Sequence, residues 1–215
     1  MISNTIINII ISYLVGSISG SIILGKLKGV DIRNLGSGNA GGTNAFRTQG
    51  LVFAFGVIII DVLKGYISAK YISDLMLFNA EFLGNAELNL LLCGLAAVVG
   101  HVYPIYHGFK GGKGAGAGMG MLLALDLSSV GIAILHWLLV LILTGYVGLG
   151  TMIAAISIPI YLYVSESYLN FVYFPMLSIG LALFIIFTHR SNIIRMKNGN
   201  ENQFEKIMIL KRLFN

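Results

Sequence analysis

Residues 52–71 read VFAFGVIIIDVLKGYISAKY. A mostly apolar run of this length is what an α-helix needs to cross the hydrocarbon core of a bilayer, which takes about 20 residues. Charged side chains interrupt the run at Asp61, Lys64 and Lys70. Asp61 and Lys64 are three positions apart on one helix face, so we expect them to pair. Because ions inside a membrane are costly, the pair is expected either to stabilise the bundle or to shape a functional site.

The composition of the whole chain indicates a membrane protein. Hydrophobic residues make up 56% of the 215 residues and charged residues 11%, whereas a soluble domain carries about 25% charged residues. The single cysteine, Cys93, lies in an apolar run and predicts neither an internal disulfide nor a metal site. We expect one domain over residues 1–215, with an all-α fold. A polytopic transmembrane helical bundle satisfies every backbone polar group in lipid.

Seven spans are predicted, and the fourth of them is short. In chain order they cover residues 2–24, 52–71, 88–106, 116–127, 130–147, 148–164 and 171–187. With the N-terminus outside, twelve of the fourteen Lys and Arg residues fall on inner segments and none on outer segments. This positive-inside pattern needs an odd number of spans and places the C-terminus in the cytoplasm. The tail after residue 197 is expected to be either a short interfacial amphipathic helix or disordered.

A first polar segment, GSGNAGGTN at residues 36–44, is followed by Arg47. Its glycines allow backbone N–H groups to converge on an anion, and Arg47 adds a planar permanent charge suited to phosphate. The run matches the G-x-G-x-x-G pattern, but no predicted strand precedes it and no acidic residue follows at the required distance. We therefore predict an anion site and not a dinucleotide fold. A flexible turn between two spans is the alternative.

A second polar segment reads GHVYP at residues 100–104 and FKGGKG at residues 109–114. Two lysines separated by two glycines, at the start of a predicted helix, form a cradle for phosphate that the helix dipole reinforces. The segment is not a Walker A loop, since His107 and Gly114 stand where that motif needs glycine and Ser or Thr. Ordinary cytoplasmic anchoring charge is the alternative.

A third polar segment, HRSNIIR at residues 189–195, directly follows the last predicted span. If the helix continues, His189, Asn192 and Arg195 share one face, and a histidine can accept a proton near neutral pH. A basic stop-transfer cluster is the alternative. The residues alone therefore predict a membrane protein that handles a phosphorylated ligand from the cytoplasm.

These three segments, in this order and together with Asp61 and Lys64, resemble the bacterial acyl phosphate:glycerol-3-phosphate acyltransferase family. The resemblance implies transfer of a fatty acyl group from acyl phosphate to the 1-hydroxyl of sn-glycerol 3-phosphate. The products would be lysophosphatidic acid and inorganic phosphate, in the first acylation of bacterial phospholipid synthesis. It implies a multi-pass protein of the bacterial cell membrane whose active site faces the cytoplasm. No cofactor, metal, nucleic acid or obligate protein partner is expected beside the two substrates and membrane lipid.

The resemblance also implies roles for individual residues. Lys110, Lys113 and Arg47 would surround the phosphates, and the segment that holds the two lysines would bind mainly glycerol 3-phosphate. The expected catalytic residues are Ser37, His189 and Asn192. The expected substrate-binding residues are Gly36, Gly38, Asn39, Thr43, Asn44, Arg47, His101, Lys110, Gly111, Gly112, Lys113, Gly114 and Arg195. The expected supporting residues are Asp61, Lys64 and Glu201. The hydroxyl proton would pass either to His189 or to a phosphate oxygen of the substrate.

Two other classes of protein share part of this pattern. A transporter of a phosphorylated anion also uses broken helices and glycine-rich sites, but its site usually lies near the midplane between internal repeats. Here the polar segments gather on one side, and we find no repeat. A phosphatidyl-alcohol transferase needs clustered acidic metal ligands, which Asp31, Glu201 and Glu205 do not supply. The acyltransferase interpretation requires the three polar segments to meet in one pocket at the inner leaflet.

Overall fold

The computed structural model describes residues 3–77 and 82–208, and every regular element in these ranges is helical. The α-helices are α1 (Asn4–Gly16), α2 (Gly20–Leu27), α3 (Gly42–Gln49), α4 (Leu51–Lys70), α5 (Ala86–Val102), α6 (Ala115–Leu125), α7 (Leu127–Thr144), α8 (Val147–Val164), α9 (Phe174–Thr188) and α10 (Arg190–Lys197). Short 3-10 turns lie at Ile32–Asn34, Ile72–Asp74, Ile105–His107, Ser167–Asn170 and Glu205–Ile207. The all-α prediction is confirmed for these ranges.

Fewer helices than predicted have the length to cross a bilayer. Among the described residues, five apolar stretches are long enough, and the bent pair α9–α10 would make a sixth. Helix α6 has 11 residues, so at 1.5 Å per residue it is about half as long as the hydrocarbon core is thick. The fourth predicted span is therefore short, as expected, and the count of seven spans is not confirmed. The tail residues 198–208 hold only the turn Glu205–Ile207, and residues 209–215 lie outside the described ranges.

The first predicted span is interrupted, contrary to the single helix expected over residues 2–24. Helix α1 ends at Gly16 and α2 begins at Gly20. The hydroxyl of Ser17 donates to the carbonyl of Tyr13 at 2.9 Å, a local bond that competes with the continuing helix ladder. A glycine on each side further lowers the helix propensity. The break frees backbone groups that other side chains must satisfy.

The chain divides into two compact units, residues 1–126 and 127–215. In the first unit, a side chain at Gly16 would collide with the backbone of Ala97, and one at Gly120 with the carbonyl of Val62. These glycines bring α1 close to α5 and α6 close to α4, which is how small residues act in membrane bundles. In the second unit, α8 packs between α7 and α9.

A buried apolar cluster positions the first polar segment against α4. Ile32, just before the segment, and Ala45, within α3, are fully buried against Phe53, Ala54 and Val57. Ile32 and Ala45 therefore anchor both ends of the glycine-rich run, and Ser37 and Asn39 between them are only half-buried.

Candidate active site

Asn44 holds the turn at residues 36–39, which we call the serine turn. Its Oδ1 accepts a hydrogen bond from the N–H of Ser37 at 2.9 Å. Its Nδ2 donates to the carbonyls of Ile32, Leu35 and Asn39 at 3.2, 2.9 and 3.0 Å. Asn44 is buried, and these bonds occupy both ends of its amide. Its place in the structure is therefore beneath the serine turn, where it fixes the shape of the turn.

The serine turn leads directly into the N-terminus of α3. Gly36 and Gly38 have φ values of 56° and 72°, in the left-handed region that favours glycine. Ser37 and Asn39 stand half-buried between them. Thr43 and Arg47 lie one turn apart on α3 and are also half-buried. The positive end of the helix dipole and these donors form a surface suited to a phosphate group.

The segment at residues 109–114, which we call the lysine–glycine segment, folds back over the end of α5. The N–H of Gly111 donates to the carbonyl of Val102 at 3.2 Å, and that of Gly112 to the carbonyl of His101 at 3.0 Å. Gly114, with φ 93°, caps α6, so the segment ends at a helix N-terminus as predicted. Lys110 is exposed and Lys113 is half-buried.

Arg33, just before the serine turn, links that part of the chain to His107, just before the lysine–glycine segment. Its guanidinium donates to the carbonyl of His107 at 3.1 Å and pairs with the carboxylate of Asp31 at 2.8 Å. The hydrogen bonds from Arg33 lower the pKa of Asp31 to about 2, and the pairing raises the pKa of Arg33. The sequence alone indicated both residues only as charges of a loop between the first two spans. The signal that could have found the pair is an acidic and a basic residue two positions apart, just before a glycine-rich run.

An open cleft of about 470 Å³ lies beside this link. Lys26, Arg33, Tyr106 and His107 are among its lining residues. None of the predicted catalytic residues lines it.

The predicted pair of Asp61 and Lys64 is confirmed, with 3.1 Å between Oδ1 and Nζ. Both side chains are buried, at 3% and 4% exposure. Nζ of Lys64 also donates to the carbonyl of Ile18 at 2.7 Å, and the N–H of Gly20 lies 3.5 Å from Oδ1 of Asp61. The pair therefore contacts two backbone groups at the break between α1 and α2, the carbonyl of Ile18 and the N–H of Gly20.

The third polar segment lies in the second unit and is bent, contrary to the continuous helix considered above. Helices α9 and α10 meet at His189 with an angle of 52°. Nδ1 of His189 lies 2.8 Å from the carbonyl of Ile185. Because a carbonyl only accepts, Nδ1 carries the hydrogen, and Nε2 is the ring nitrogen with the lone pair in the neutral form.

Glu201 bonds to two residues of the third segment, Asn192 and Arg195. Its Oε1 accepts from Nδ2 of Asn192 at 3.1 Å, and its Oε2 from Nε of Arg195 at 2.7 Å. The carboxylate is buried. Arg195 and Asn192 are thus held on α10 by one acidic side chain from the tail. The structure brings the first and second polar segments into one unit and describes the third in the other.

The comparisons with known proteins cover all three polar segments. The family model described as glycerol-3-phosphate acyltransferase matches residues 6–199. The glycerol-3-phosphate acyltransferase of Chlorobaculum tepidum is 40% identical and is aligned over 91% of this chain and 94% of its own length. The corresponding protein of Aquifex aeolicus is 38% identical over 91% of this chain and 97% of its own.

Two solved structures are similar over 98% of this chain and 99% of theirs. Both are of PlsY, an integral membrane glycerol 3-phosphate acyltransferase. The glycerol 3-phosphate form has a TM-score of 0.81 at 35% identity. The lysophosphatidic acid form has a TM-score of 0.79 at 34% identity.

Proposed function

This chain belongs to the glycerol-3-phosphate acyltransferase family, and from that membership we propose that it acylates the 1-hydroxyl of sn-glycerol 3-phosphate. We propose acyl phosphate as the donor, so that the products are lysophosphatidic acid and inorganic phosphate. The observation that carries the proposal is the family match over residues 6–199, which includes every polar segment. A solved relative in its glycerol 3-phosphate form supports the acceptor.

The proposed reaction needs no nucleophile from the protein. The 1-hydroxyl oxygen attacks the carbonyl carbon of the acyl phosphate, and the bond between that carbon and the phosphate oxygen breaks. Inorganic phosphate leaves with the electron pair of that bond, and the hydroxyl proton passes to a base. Since the donor is already activated, the contribution of the enzyme is positioning and stabilisation of the developing negative charge.

We assign the phosphate groups to the glycine-rich segments of the first unit. Lys110, Lys113 and Arg47 supply positive charge, and the N-termini of α3 and α6 supply oriented backbone donors. Ser37 and Asn39 contact the acyl phosphate from the serine turn. This arrangement accounts for two anion-binding surfaces in a reaction whose substrates both carry phosphate.

We assign the attacking hydroxyl to the third polar segment. His189 presents Nε2 as the basic nitrogen because its Nδ1 is bonded to the carbonyl of Ile185. Asn192 orients the hydroxyl, and Glu201 holds Asn192 and Arg195 in place. Transfer of the proton to a phosphate oxygen of the substrate is the competing route.

We propose a topology with the N-terminus outside and the C-terminus in the cytoplasm of a bacterium. Twelve of the fourteen Lys and Arg residues then lie on the inner side, as the positive-inside rule requires. The topology needs an odd number of crossings, and counting the short helix α6 as one of seven supplies it. The active site then faces the cytoplasm, and the whole chain forms one domain.

The purified protein in lipid should release phosphate from palmitoyl phosphate only when glycerol 3-phosphate is present. Phosphate release and lysophosphatidic acid are measured together, without added metal or coenzyme A. Palmitoyl coenzyme A replaces palmitoyl phosphate in a parallel reaction to test the donor. Lysophosphatidic acid formed only from the thioester would overturn the proposed donor. No product from either donor would overturn the proposed function.

A further inference from the structure

The ring of His101 is enclosed between a buried carboxylate and the lysine–glycine segment. His101 lies in the last turn of α5 and is 4% exposed. Its Nδ1 lies 3.4 Å from Oδ1 of Asp61. On the other side of the ring, a side chain added at Gly112 would collide with Nε2. The imidazole is therefore a spacer between α4 and the backbone of the segment that carries the two lysines.

The backbone of His101 also contacts the lysine–glycine segment. Gly112 donates to the carbonyl of His101 itself, so ring and backbone of one residue both contact Gly112. A side chain at Gly111 would collide with the same carbonyl. The positions of Lys110 and Lys113, which flank these glycines, thus depend on where His101 stands.

Asp61 fixes the other side of the ring. Nδ1 faces the carboxylate at 3.4 Å but makes no hydrogen bond within the part of the chain that the structure describes, so Asp61 limits the position of the ring by contact. The carboxylate is itself held by Lys64 at 3.1 Å. A side chain at Gly116, in the first turn of α6, would come within 2.9 Å of Cβ of Asp61. Asp61 therefore supports both the histidine below the segment and the helix that follows it.

We propose that His101 is a positioning residue for glycerol 3-phosphate, held by Asp61 and acting through Gly112 on the two lysines. This inference rests on the proposed function. It replaces the expectation that His101 binds substrate directly, because the ring is enclosed by protein atoms. Without the ring, Lys110 and Lys113 are still present, but the lysine–glycine segment that carries them can shift. Affinity for the phosphate of the acceptor then falls more than the rate of the bound complex.

The test compares His101→Phe and His101→Asn in purified protein, with glycerol 3-phosphate varied at saturating palmitoyl phosphate. Phenylalanine fills the space but presents only carbon to Asp61, whereas the amide nitrogen of asparagine stands close to the position of Nδ1 and keeps a polar group there. We expect His101→Phe to raise KM for glycerol 3-phosphate by roughly tenfold or more and to change kcat by less than about threefold. In His101→Asn the rise in log KM for glycerol 3-phosphate should be at most half of the rise in His101→Phe. His107→Phe, in the neighbouring 3-10 turn, is the matched control and should leave KM unchanged.

A second measurement does not depend on the phenylalanine variant folding. Gly112→Ala places a methyl group against the ring, and His101→Ala removes the ring that it meets. The double variant should therefore have a KM no higher than that of the worse single variant, since the two changes share one contact. Melting temperatures in the same detergent separate these effects from loss of fold.

The outcomes distinguish the inference from the function on which it rests. A wild-type protein without glycerol 3-phosphate-dependent activity would overturn both. An active wild type with unchanged KM in His101→Phe would overturn the positioning role alone. So would equal KM values for the asparagine and phenylalanine variants, or strictly multiplicative effects in the alanine pair.

Discussion

Lys64 donates a hydrogen bond from Nζ to the carbonyl oxygen of Ile18 at 2.7 Å, across 46 positions of sequence. The carbonyl belongs to the break between α1 and α2, where no helix ladder satisfies it. In hydrocarbon an unsatisfied backbone group costs several kcal/mol. The ammonium of Lys64 therefore joins two separate helices at a membrane-embedded point, and it also neutralises Asp61.

Replacing Lys64 by methionine should destabilise the protein by about 3–5 kcal/mol, because it leaves the carboxylate of Asp61 buried without its ammonium partner. The melting temperature in detergent measures the loss. The double variant Asp61→Leu/Lys64→Met should recover part of it, since no charge then remains unpaired. A Lys64→Met protein that melts at the wild-type temperature would show that the ion pair does not hold the bundle together.

Asn44→Asp should open the serine turn. The carboxylate still accepts from the N–H of Ser37, but it cannot donate to the carbonyls of Ile32, Leu35 and Asn39. Unmade bonds at buried groups cost about 1–3 kcal/mol each, so we expect a lower melting temperature and at least about tenfold lower kcat/KM. Gln49→Ala, at the other end of α3, is the control. Full activity in Asn44→Asp would mean that the shape of the serine turn does not matter to catalysis.

Features of the fold that depend on composition and local periodicity could be predicted from the sequence, whereas those that depend on contacts between distant residues could not. Long apolar runs and the placement of Lys and Arg predicted the helical membrane fold, because hydrophobic length and charge are properties of composition. The pairing of Asp61 with Lys64 followed from helix periodicity and was confirmed at 3.1 Å. The break at Ser17 did not follow, since its cause includes Lys64 on another helix, which satisfies the freed carbonyl.

The polar segments were found from the density of Gly, Ser, Asn and Lys, but the burial of their individual side chains was not. Asn44 resembles Asn39 in type and place, yet Asn44 is buried beneath the turn and Asn39 stands half-exposed in it. His101 was expected to meet substrate, and only the structure reveals its enclosure between Asp61 and Gly112, on which the positioning role proposed above rests. Such differences arise from tertiary contacts between distant residues, which local pattern does not encode.

Lys113→Ala should raise KM for glycerol 3-phosphate by about 10- to 100-fold, as expected for the loss of a charged hydrogen-bond donor to phosphate. Initial rates with varied glycerol 3-phosphate measure the effect. Lys28→Ala is the matched control, because Lys28 lies over the ring of Phe53, outside the proposed site, and its removal should leave KM unchanged. If the two variants have the same KM for glycerol 3-phosphate, Lys113 contributes general positive charge and makes no specific contact with the phosphate.

His189→Asn tests which group accepts the hydroxyl proton. The asparagine amide can keep a bond to the carbonyl of Ile185, near the present position of Nδ1, but it provides no basic nitrogen at the position of Nε2. General-base catalysis by histidine contributes about 10²–10⁴-fold, so kcat should fall by about 100-fold or more. Retention of most of the activity would transfer the role of base to a substrate phosphate oxygen.

Glu201→Gln tests whether the acidic side chain of the tail acts through its charge. Glutamine can still accept from Asn192 through its amide oxygen, but it loses the charged bond that Oε2 makes with Nε of Arg195 at 2.7 Å. Charged hydrogen bonds contribute about 1.5–3 kcal/mol, so we expect kcat/KM to fall by roughly 10- to 100-fold. In Glu201→Ala, kcat/KM should fall further, because this change also removes the oxygen that accepts from the amide of Asn192. Glu205 is an exposed residue of the same tail, and Glu205→Gln, the control, should have the kcat/KM of the wild type. A Glu201→Gln protein as active as the control would show that α10 is held by packing, without need of the carboxylate charge.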